Sequence, residues 1–326
     1  MSERGGAIVV DGATGYLGNH VVSSLMARGK EVRALAHKGA READIEFLRA
    51  SGCAVYTGDL NSQSSEIDAC FHEANTAVHL IGSIAPPRGQ SLSDLHVEQT
   101  SAWIEHLKSA GVKNAVMVTA LGSSEAAASN YHRTKWLAEE KLRQSGLRYI
   151  ILRPSLLLGR QTGSRDSKLM RRLMQVIRTR KAVPLVRGGI NRLQPLFIAD
   201  MAEAVARCCE ALEEGTSSGQ ELVNTTLELG GGEALTMREI ACGLMEVMGT
   251  IRPIVALPEG VASLLALLFE ATQEVPLLTR DQVKLSLQDN VCPNNDLIGK
   301  LGIHPTPVKA ALETYRAERA TTESRV

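Results

Sequence analysis

The chain has 326 residues, of which 44% are hydrophobic and 22% are charged, as in an ordinary globular protein of one or two domains. Lys plus Arg equal Asp plus Glu at 36 each, so no net charge draws the chain to nucleic acid or an anionic membrane. No segment reaches the roughly 18 apolar residues of a transmembrane helix, and the first residues lack the apolar core of a signal peptide. We therefore expect a cytoplasmic protein.

Short apolar segments alternate with helical patterns through the first half of the chain. The predicted strands are Ala7–Asp11, Glu31–Ala36, Ala54–Thr57, Thr76–Ile81, Ala115–Thr119 and Arg148–Leu152. The predicted helices are Tyr16–Arg28, Ala43–Ala50, Ser65–Ala74, Ser93–Ala110 and Tyr131–Ser145. The strands are continuously apolar, which is typical of strands buried on both faces. The pattern predicts an α/β fold, a doubly wound parallel sheet with helices on both faces.

The pattern is less regular after Pro154. It predicts helices at Ser167–Arg180, at Met201–Leu212 with Asp200 as N-cap, and from the N-cap Thr236 to about Met248. Strands are predicted at Val183–Val186 and Glu221–Leu229, and a mostly helical tail with proline breaks from Ile251 onward. We therefore expect a main domain at residues 1–155. Residues 156–326 are expected to form a smaller, mostly helical substrate or partner region that is interleaved with the main domain.

The six cysteines are Cys53, Cys70, Cys208, Cys209, Cys242 and Cys292. None forms a CxxC pair, and their spacing is not that of zinc ligands. We expect reduced, buried thiols and no metal site.

A glycine-rich turn connects the first predicted strand to the first predicted helix, with the sequence GATGYLG at residues 12–18. The first glycine permits the tight turn, the second lets a pyrophosphate approach the backbone, and the third lets helix and strand pack closely. The N–H groups at the helix N-terminus then face the phosphates. The turn therefore predicts a dinucleotide site at Gly12, Thr14, Gly15, Tyr16, Leu17 and Gly18.

The end of the second strand distinguishes the two nicotinamide dinucleotides. An acid there binds the ribose hydroxyls of NAD, but this chain has His37 and Lys38. Together with Arg33 they favour a 2′-phosphate, and so NADP(H). Solvated loop cations are the alternative, and NAD(H) stays open. Asp59, after the third strand, is placed either at the adenine edge or as a turn acceptor.

Tyr131 and Lys135 are four residues apart on a predicted helix and so share one face. An ammonium beside a phenol lowers its pKa, which lets the phenol exchange a proton with a substrate oxygen while hydride moves. Lys135 is also placed to reach the nicotinamide ribose. A hydroxyl is needed at the end of the fifth strand to polarise the substrate oxygen; Thr119 is the first candidate, and Ser123 and Ser124 are the alternatives.

These segments together resemble the extended or atypical short-chain dehydrogenases/reductases, the NAD(P)-dependent epimerase and dehydratase type. The similar segments are GATGYLG, GDL at 58–60, VTALG at 118–122, YHRTK at 131–135 and LRPSLLLG at 152–159. In the second half, NRLQPLFIADMAEAV and LLTRDQVKLSLQDN resemble the branch that includes the nucleotide-binding accessory subunit of respiratory complex I.

The resemblance implies a Rossmann domain at residues 1–155 that binds NADP(H), with Tyr131 as acid/base and Lys135 as its partner. The second region would close over the substrate. Further cofactor contacts are implied at Asp59, Leu60, Ile81, Gly82, Pro154 and Ser155, with Arg153 beside them. This chain departs from the family pattern at Thr119, where most active members have Ser, at His96, where many have Asn, and at 80–83, where LIGS replaces a polar turn.

Two functions follow from this sequence. The first is an NADP(H)-dependent oxidoreductase acting on a carbonyl or alcohol, or on a nucleotide sugar. The second is a non-catalytic NAD(P)H-binding scaffold, assembly factor or redox sensor, as in the complex I branch. The apolar segment Pro258–Phe269 is either a core helix or a face for a partner or lipid-like substrate, and the helix carrying Tyr131 is a candidate homodimer face. Nucleic acid is not expected as a partner.

Overall fold

The computed structural model describes residues 6–62, 64–85, 89–160, 165–214, 217–274 and 276–316. The first part of the chain contains the strands β1 (Ala7–Asp11), β2 (Val32–Ala36), β3 (Ala54–Thr57), β4 (Ala74–His79), β5 (Asn114–Val118) and β6 (Arg148–Pro154). They alternate with the helices α1 (Tyr16–Ala27), α2 (Glu42–Ala50), α3 (Ser65–Phe71), α4 (Gln99–Ala110) and α5 (Asn130–Arg143). A π-helical turn, Asp94–Glu98, leads into α4.

The later elements are shorter and more mixed. Their strands are β7 (Leu157–Leu158), β8 (Val183–Val186), β9 (Arg192–Leu193), β10 (Leu196–Phe197), β11 (Thr225–Leu229), β12 (Leu235–Thr236) and β13 (Ile254–Leu257). Their helices are α6 (Lys168–Thr179), α7 (Ile198–Glu214), α8 (Ser217–Gln220), α9 (Met237–Val247), α10 (Glu259–Thr272), α11 (Arg280–Leu285), α12 (Asp296–Gly299) and α13 (Val308–Glu313).

Seven strands form one sheet in the order β11-β6-β5-β4-β1-β2-β3, and every pair in it is parallel. Alternate residues of β1 face opposite layers: Ile8 and Val10 pack with α1 and α7, while Val9 packs with α3, α4 and α5. The sheet is therefore covered on both sides, and the predicted doubly wound α/β fold is confirmed. The carboxyl ends of its strands meet at one edge, where ligands of such sheets bind.

The second region contributes to this sheet and also builds a core of its own. The strand β11 and the helix α7 complete the layers of the main domain. The other strands of the second region form two-stranded sheets, and α6, α9 and α13 enclose a second apolar cluster. We retain the division at residue 155 as a proposal. None of the helices in the described residues is long and apolar enough to cross a membrane.

Two predictions about the second region were wrong, those for Asp200 and Cys242, and one strand of it was missed. Asp200 is not an N-cap, because α7 already begins at Ile198, and its carboxylate instead accepts hydrogen bonds from Thr306 N at 2.7 Å and Thr306 Oγ1 at 2.9 Å. The tail after Ile251 contains the strand β13, whose partner β8 lies some seventy residues earlier. Local periodicity cannot reveal such a pairing. Cys242 is exposed, whereas the other five cysteines are buried.

Candidate active site

The glycine turn forms a cradle of backbone at the carboxyl end of β1. Gly12 has a φ of 60°, and Gly15 N donates to Gly12 O at 2.8 Å. A Cβ at Gly18 would lie 2.2 Å from Gly12 O, and one at Gly15 would lie 2.9 Å from the same oxygen. No side chain caps the N-terminus of α1, so its first N–H groups face the cradle. This geometry fits the pyrophosphate of a dinucleotide.

Side chains of the cradle are held by the fold around it. Thr14 is largely buried, and Leu17 packs against the core. The hydroxyl of Tyr16 donates to Gly159 O at 2.5 Å, and Gly159 N donates to the hydroxyl of Tyr315 at 2.9 Å. Tyr16 thus fastens the chain after β7 against the cradle, a contact that the sequence did not reveal.

The predicted cations at the end of β2 are not all placed for a 2′-phosphate. The Arg33 guanidinium donates to His72 O at 2.5 Å and Cys70 O at 3.3 Å, so Arg33 is removed from the predicted phosphate contacts. Arg33 lies near the start of β2, which explains why it points to the end of α3 instead. His37 Nε2 lies 2.8 Å from Asp59 Oδ1, so these two predicted residues form one pair beside the cradle.

A second pair of cations meets at a buried carboxylate close by. Asp44 has no exposed surface, and it accepts from Arg41 at 2.9 and 3.0 Å and from Arg165 Nε at 2.9 Å. The guanidinium side chains of Arg41 and Arg165 keep 56% and 39% of their surface exposed. Asp44 therefore holds two cations at the start of α2, and Arg41 lies three residues along the chain from the exposed Lys38.

We refer to the edge where the carboxyl ends of the strands meet as the cleft, and its middle is built on the end of β4. Asp11 accepts from Leu80 N at 2.8 Å, and its other oxygen lies 2.6 Å from His79 Nδ1. Asp11 and His79 are both buried and so fix the start of the turn. Ile81 O accepts from Lys135 Nζ at 3.2 Å, and a Cβ at Gly82 would lie 2.6 Å from the same nitrogen. Because Gly82 has no side chain, the Lys135 ammonium group can lie close to the backbone of this turn.

Tyr131, Lys135 and His96 come together beside this turn. The rings of Tyr131 and His96 meet edge to face, with centroids 5.5 Å apart, and His96 Nδ1 lies 2.8 Å from Thr134 Oγ1. His96 and Lys135 are 1% and 4% exposed. The structure thus places the His that replaces the family's Asn in direct contact with the predicted acid/base.

Burial, more than pairing, shifts the pKa values in this group. Burial raises the pKa of Tyr131 to about 12, so the predicted lowering of this pKa by Lys135 is not seen. Burial lowers the pKa of Lys135 to about 8, against the opposing effect of Glu139 and Asp11. Burial, and then the charges of Lys135 and His79, lower the pKa of His96 to about 2. At neutral pH Tyr131 is therefore a protonated phenol beside a neutral imidazole.

The predicted role of Thr119 is not supported by its geometry. Its hydroxyl donates to Glu139 Oε1 at 2.6 Å, and Glu139 is fully buried and also bonded by Arg143 and Arg153. A hydroxyl on a buried carboxylate has no proton for a substrate oxygen. Ser123, the first alternative, donates to Ala120 O at 2.7 Å, and Ser124 is exposed.

The remaining predicted residues are held by hydrogen bonds to neighbouring elements. Leu60 is buried, and its carbonyl accepts from His106 at 2.9 Å. Pro154 O accepts from Leu121 N at 2.9 Å. Ser155 Oγ donates to Asn290 Oδ1 at 2.8 Å. The guanidinium of Arg153 binds Glu139 and so lies away from the cleft.

Several polar residues of the second region hold this edge together, and sequence analysis assigned none of them. Asp281 accepts from Asn130 N at 2.7 Å and Tyr131 N at 2.8 Å, and so caps α5. Asn290 donates to Leu121 O at 2.9 Å, and Gln194 donates to Gly231 O at 2.7 Å. Asp281 and Asn290 both lie in LLTRDQVKLSLQDN, so a resemblance was visible there, but no local pattern indicates contacts across about 150 residues.

A family model described as NAD(P)H-binding matches residues 12–181, the part of the chain that holds the cradle, Tyr131 and Lys135. The chain belongs to the NAD(P)H-binding family. The predicted membership of an NAD(P)-binding family and the predicted nicotinamide dinucleotide are thereby confirmed.

The relatives of this chain carry names of two kinds, a subunit of NADH dehydrogenase and a reductase. The mitochondrial NADH dehydrogenase [ubiquinone] 1 alpha subcomplex subunit 9 of Arabidopsis thaliana is 26% identical over 81% of this chain, which matches 63% of that protein's length. A ceramide reductase of Caulobacter vibrioides is 24% identical over 78% of this chain and 74% of its own length.

Among solved structures, the NADPH complex of an NADPH-dependent quinone oxidoreductase from Escherichia coli superimposes with a TM-score of 0.72. It is 19% identical and is covered over 99% of its length, against 94% of this chain. At this identity the likeness shows a shared fold.

Proposed function

We propose that this protein is an NADP(H)-dependent oxidoreductase that reduces a carbonyl or oxidises the corresponding alcohol. The observation that carries the proposal is the contact of Tyr131 with the buried His96, with the buried Lys135 one turn further along α5, at the carboxyl edge of the sheet beside the turn after β4. A lysine 4% exposed is costly to bury, and a protein that only held a dinucleotide by its backbone would have no need of it.

Each residue of the group has a role in this reaction. The bound dinucleotide supplies or accepts hydride. Tyr131, whose pKa burial raises to about 12, keeps its proton at neutral pH and donates it to the carbonyl oxygen in the direction of reduction. Lys135, with a pKa of about 8, is mostly protonated at pH 7 and holds the nicotinamide ribose. His96 packs edge to face against the Tyr131 ring and fixes its orientation.

The preference for NADP(H) rests on the cations that follow β2. Arg41 and Arg165 are both bound by the buried Asp44, and Lys38 is exposed in the loop that leads from β2 to Arg41. Paired guanidinium groups suit a phosphate monoester. Because Arg33 is bound to the end of α3, Arg41, Arg165 and Lys38 are the proposed phosphate contacts. They replace the set predicted from sequence, which was Arg33, His37 and Lys38. His37 and Asp59, which bind each other, are proposed to border the adenosine.

The substrate proposed is an apolar carbonyl compound that the second region, residues 156–326, covers. The name of the ceramide reductase relative favours such a substrate over a nucleotide sugar. The competing function is a scaffold that holds the dinucleotide and assembles with partners, which the respiratory subunit relative favours. Thr119 supports that second function, because its hydroxyl is committed to Glu139 and cannot polarise a substrate.

The test separates binding from turnover. Nicotinamide fluorescence is followed during titration with NADPH and then NADH, for the wild type, for Gly15→Trp and for a control, Gly299→Trp, where a side chain would meet nothing within 4 Å. We expect micromolar binding of NADPH, weaker binding of NADH, and loss of both in Gly15→Trp alone. Oxidation of NADPH by a panel of ketones and quinones is then measured for the wild type and Tyr131→Phe, with a loss of at least about 100-fold expected. Binding without turnover of any carbonyl would establish the scaffold instead.

A further inference from the structure

The helix α10 is packed with its small residues inward and its large residues outward. Ala262 and Ala266 are its buried residues, whereas Val261, Leu264, Leu267 and Leu268 are 47%, 58%, 47% and 51% exposed. Residues 260–269 carry no charge. A core helix buries its large apolar side chains, so of the two alternatives predicted for Pro258–Phe269 the structure favours the exposed face over the core helix. An exposed apolar surface of this kind is typical of a site that binds another molecule.

Exposed apolar residues continue on both sides of α10. Val255 on β13 is 51% exposed, and Leu277, just before α11, is 57% exposed. We call Val255, Val261, Leu264, Leu267, Leu268 and Leu277 the apolar face. Elsewhere in the described residues, the large apolar side chains of similar or greater exposure are Leu137, Leu169, Ile190, Ile251 and Ile298.

A cationic segment lies against this face. Residues 167–199 contain no Asp or Glu and eight cations, namely Lys168, Arg171, Arg172, Arg178, Arg180, Lys181, Arg187 and Arg192. The segment includes α6 and β8, and β8 pairs with β13, which leads into α10. Arg172 donates to the carbonyls of Leu277 at 3.0 Å and Pro276 at 3.1 Å. The zero net charge of the whole chain conceals this local excess.

The acidic side chains on and near α10 do not cancel the positive charge of the cationic segment. Residues 251–280 contain three acids, Glu259, Glu270 and Glu274. Of these, Glu270 is paired with Arg280 at 2.7 Å. Burial, and then the charges of Arg172, Arg171 and Arg165, lower the pKa of Lys168. The cations of α6 are therefore close enough to repel one another, and an anionic surface would relieve that repulsion.

We propose that the apolar face and the cationic segment dock the protein on an anionic lipid bilayer, with α10 lying in the plane of the interface. An exposed apolar face bordered by Lys and Arg is the combination by which helices bind such surfaces. At 14 residues, α10 is about 21 Å long, which is too short to span a bilayer and sufficient to lie on one. A second copy of the chain fits less well, because symmetric docking would bring two cationic segments together.

The experiment uses the full chain and sedimentation with vesicles of phosphatidylcholine alone or with one third phosphatidylglycerol. The variants are Leu264→Glu/Leu268→Glu on the apolar face, Arg171→Gln/Arg180→Gln on the cationic segment, and Ile298→Glu as a control of equal exposure on α12. We expect the wild type and the control to bind the anionic vesicles. The leucine variant should lose at least tenfold in binding, and the arginine variant about fivefold for each cation removed.

Thermal unfolding and NADPH titration of each variant show that the fold and the cleft are intact, and the vesicle assay does not depend on turnover. The proposal is overturned if the wild type ignores the anionic vesicles, or if the leucine and control variants bind them equally. It is also overturned if light scattering shows a wild-type dimer that the leucine variant breaks while vesicle binding is absent. The apolar face would then be an interface between copies.

Discussion

The two ends of the cleft are built in different ways. At the cradle, contiguous residues of one turn make the site with their backbone. A Cβ at Gly15 or Gly18 would meet the backbone of that turn, and one at Gly12 would meet Leu80 and Ile81 just after β4. At the other end, side chains make the site, and residues remote in the chain position them. Asp281 accepts a hydrogen bond from Tyr131 N, and Ile81 O accepts one from Lys135 Nζ. The first end depends on shape and the second on charge, which makes the second more sensitive to pH and to conservative substitutions.

The largest expected effect at the charged end follows from replacing Lys135 with Met. Burial lowers the pKa of Lys135 from 10.5 to about 8, so charging it in the folded chain costs about 3 kcal/mol. Because the pKa is lower in the folded state, this cost is full below pH 8, shrinks between pH 8 and 10.5, and vanishes above. Lys135→Met should therefore raise the free energy of unfolding at pH 7 by up to about 3 kcal/mol and lower turnover at least about 100-fold.

Urea unfolding of the cofactor-free protein at pH 7 and pH 10.5 measures this effect, with Lys113→Met at an exposed position as the control. The gain should be absent at pH 10.5 and absent in the control. A Lys135→Met variant that is less stable than the wild type at pH 7 would show that the bond from Nζ to Ile81 O outweighs the cost of burial.

The same contrast explains what the sequence could predict. Strands β1, β3 and β8 have their predicted bounds, and the glycine turn lies where the pattern placed it, since each depends on neighbours in the chain. Thr119 and Arg33 were assigned by position along a strand, yet their side chains bind Glu139 and His72 O, partners that only the packing of helices brings near. Asp281 was missed for the same reason.

A smaller effect tests whether a remote residue positions Tyr131. Asp281→Asn weakens the cap on the first two N–H groups of α5, at an expected cost of about 1–2 kcal/mol in stability. Because Tyr131 lies in that first turn, we expect kcat to fall about tenfold, a loss of some 1.4 kcal/mol in the barrier, with the KM for NADPH unchanged. Steady-state kinetics and urea unfolding measure the two quantities.

The matched control is Glu239→Gln, which removes the carboxylate that accepts from Thr236 N at 2.7 Å at the start of α9, far from α5 in the chain. Glu239→Gln should lower the free energy of unfolding by a similar amount and leave kcat unchanged. If both variants lose kcat, or neither does, Asp281 acts only on stability and the positioning role is rejected.

The smallest effect is expected at Thr119, where sequence and structure disagree about the role of one hydroxyl. Thr119→Val removes the bond to Glu139, but Glu139 keeps its bonds from Arg143 and Arg153, so we expect a loss of about 1 kcal/mol in the free energy of unfolding. Because the hydroxyl faces that carboxylate, kcat should stay within about twofold, whereas a donor to the substrate oxygen would cost about 100-fold or more. Thr119→Ser keeps the hydroxyl and should match the wild type in both measurements. A hundredfold loss of kcat in Thr119→Val, restored in Thr119→Ser, would mean that the hydroxyl turns from Glu139 to the substrate during the reaction, and that the charged end of the cleft rearranges where the cradle does not.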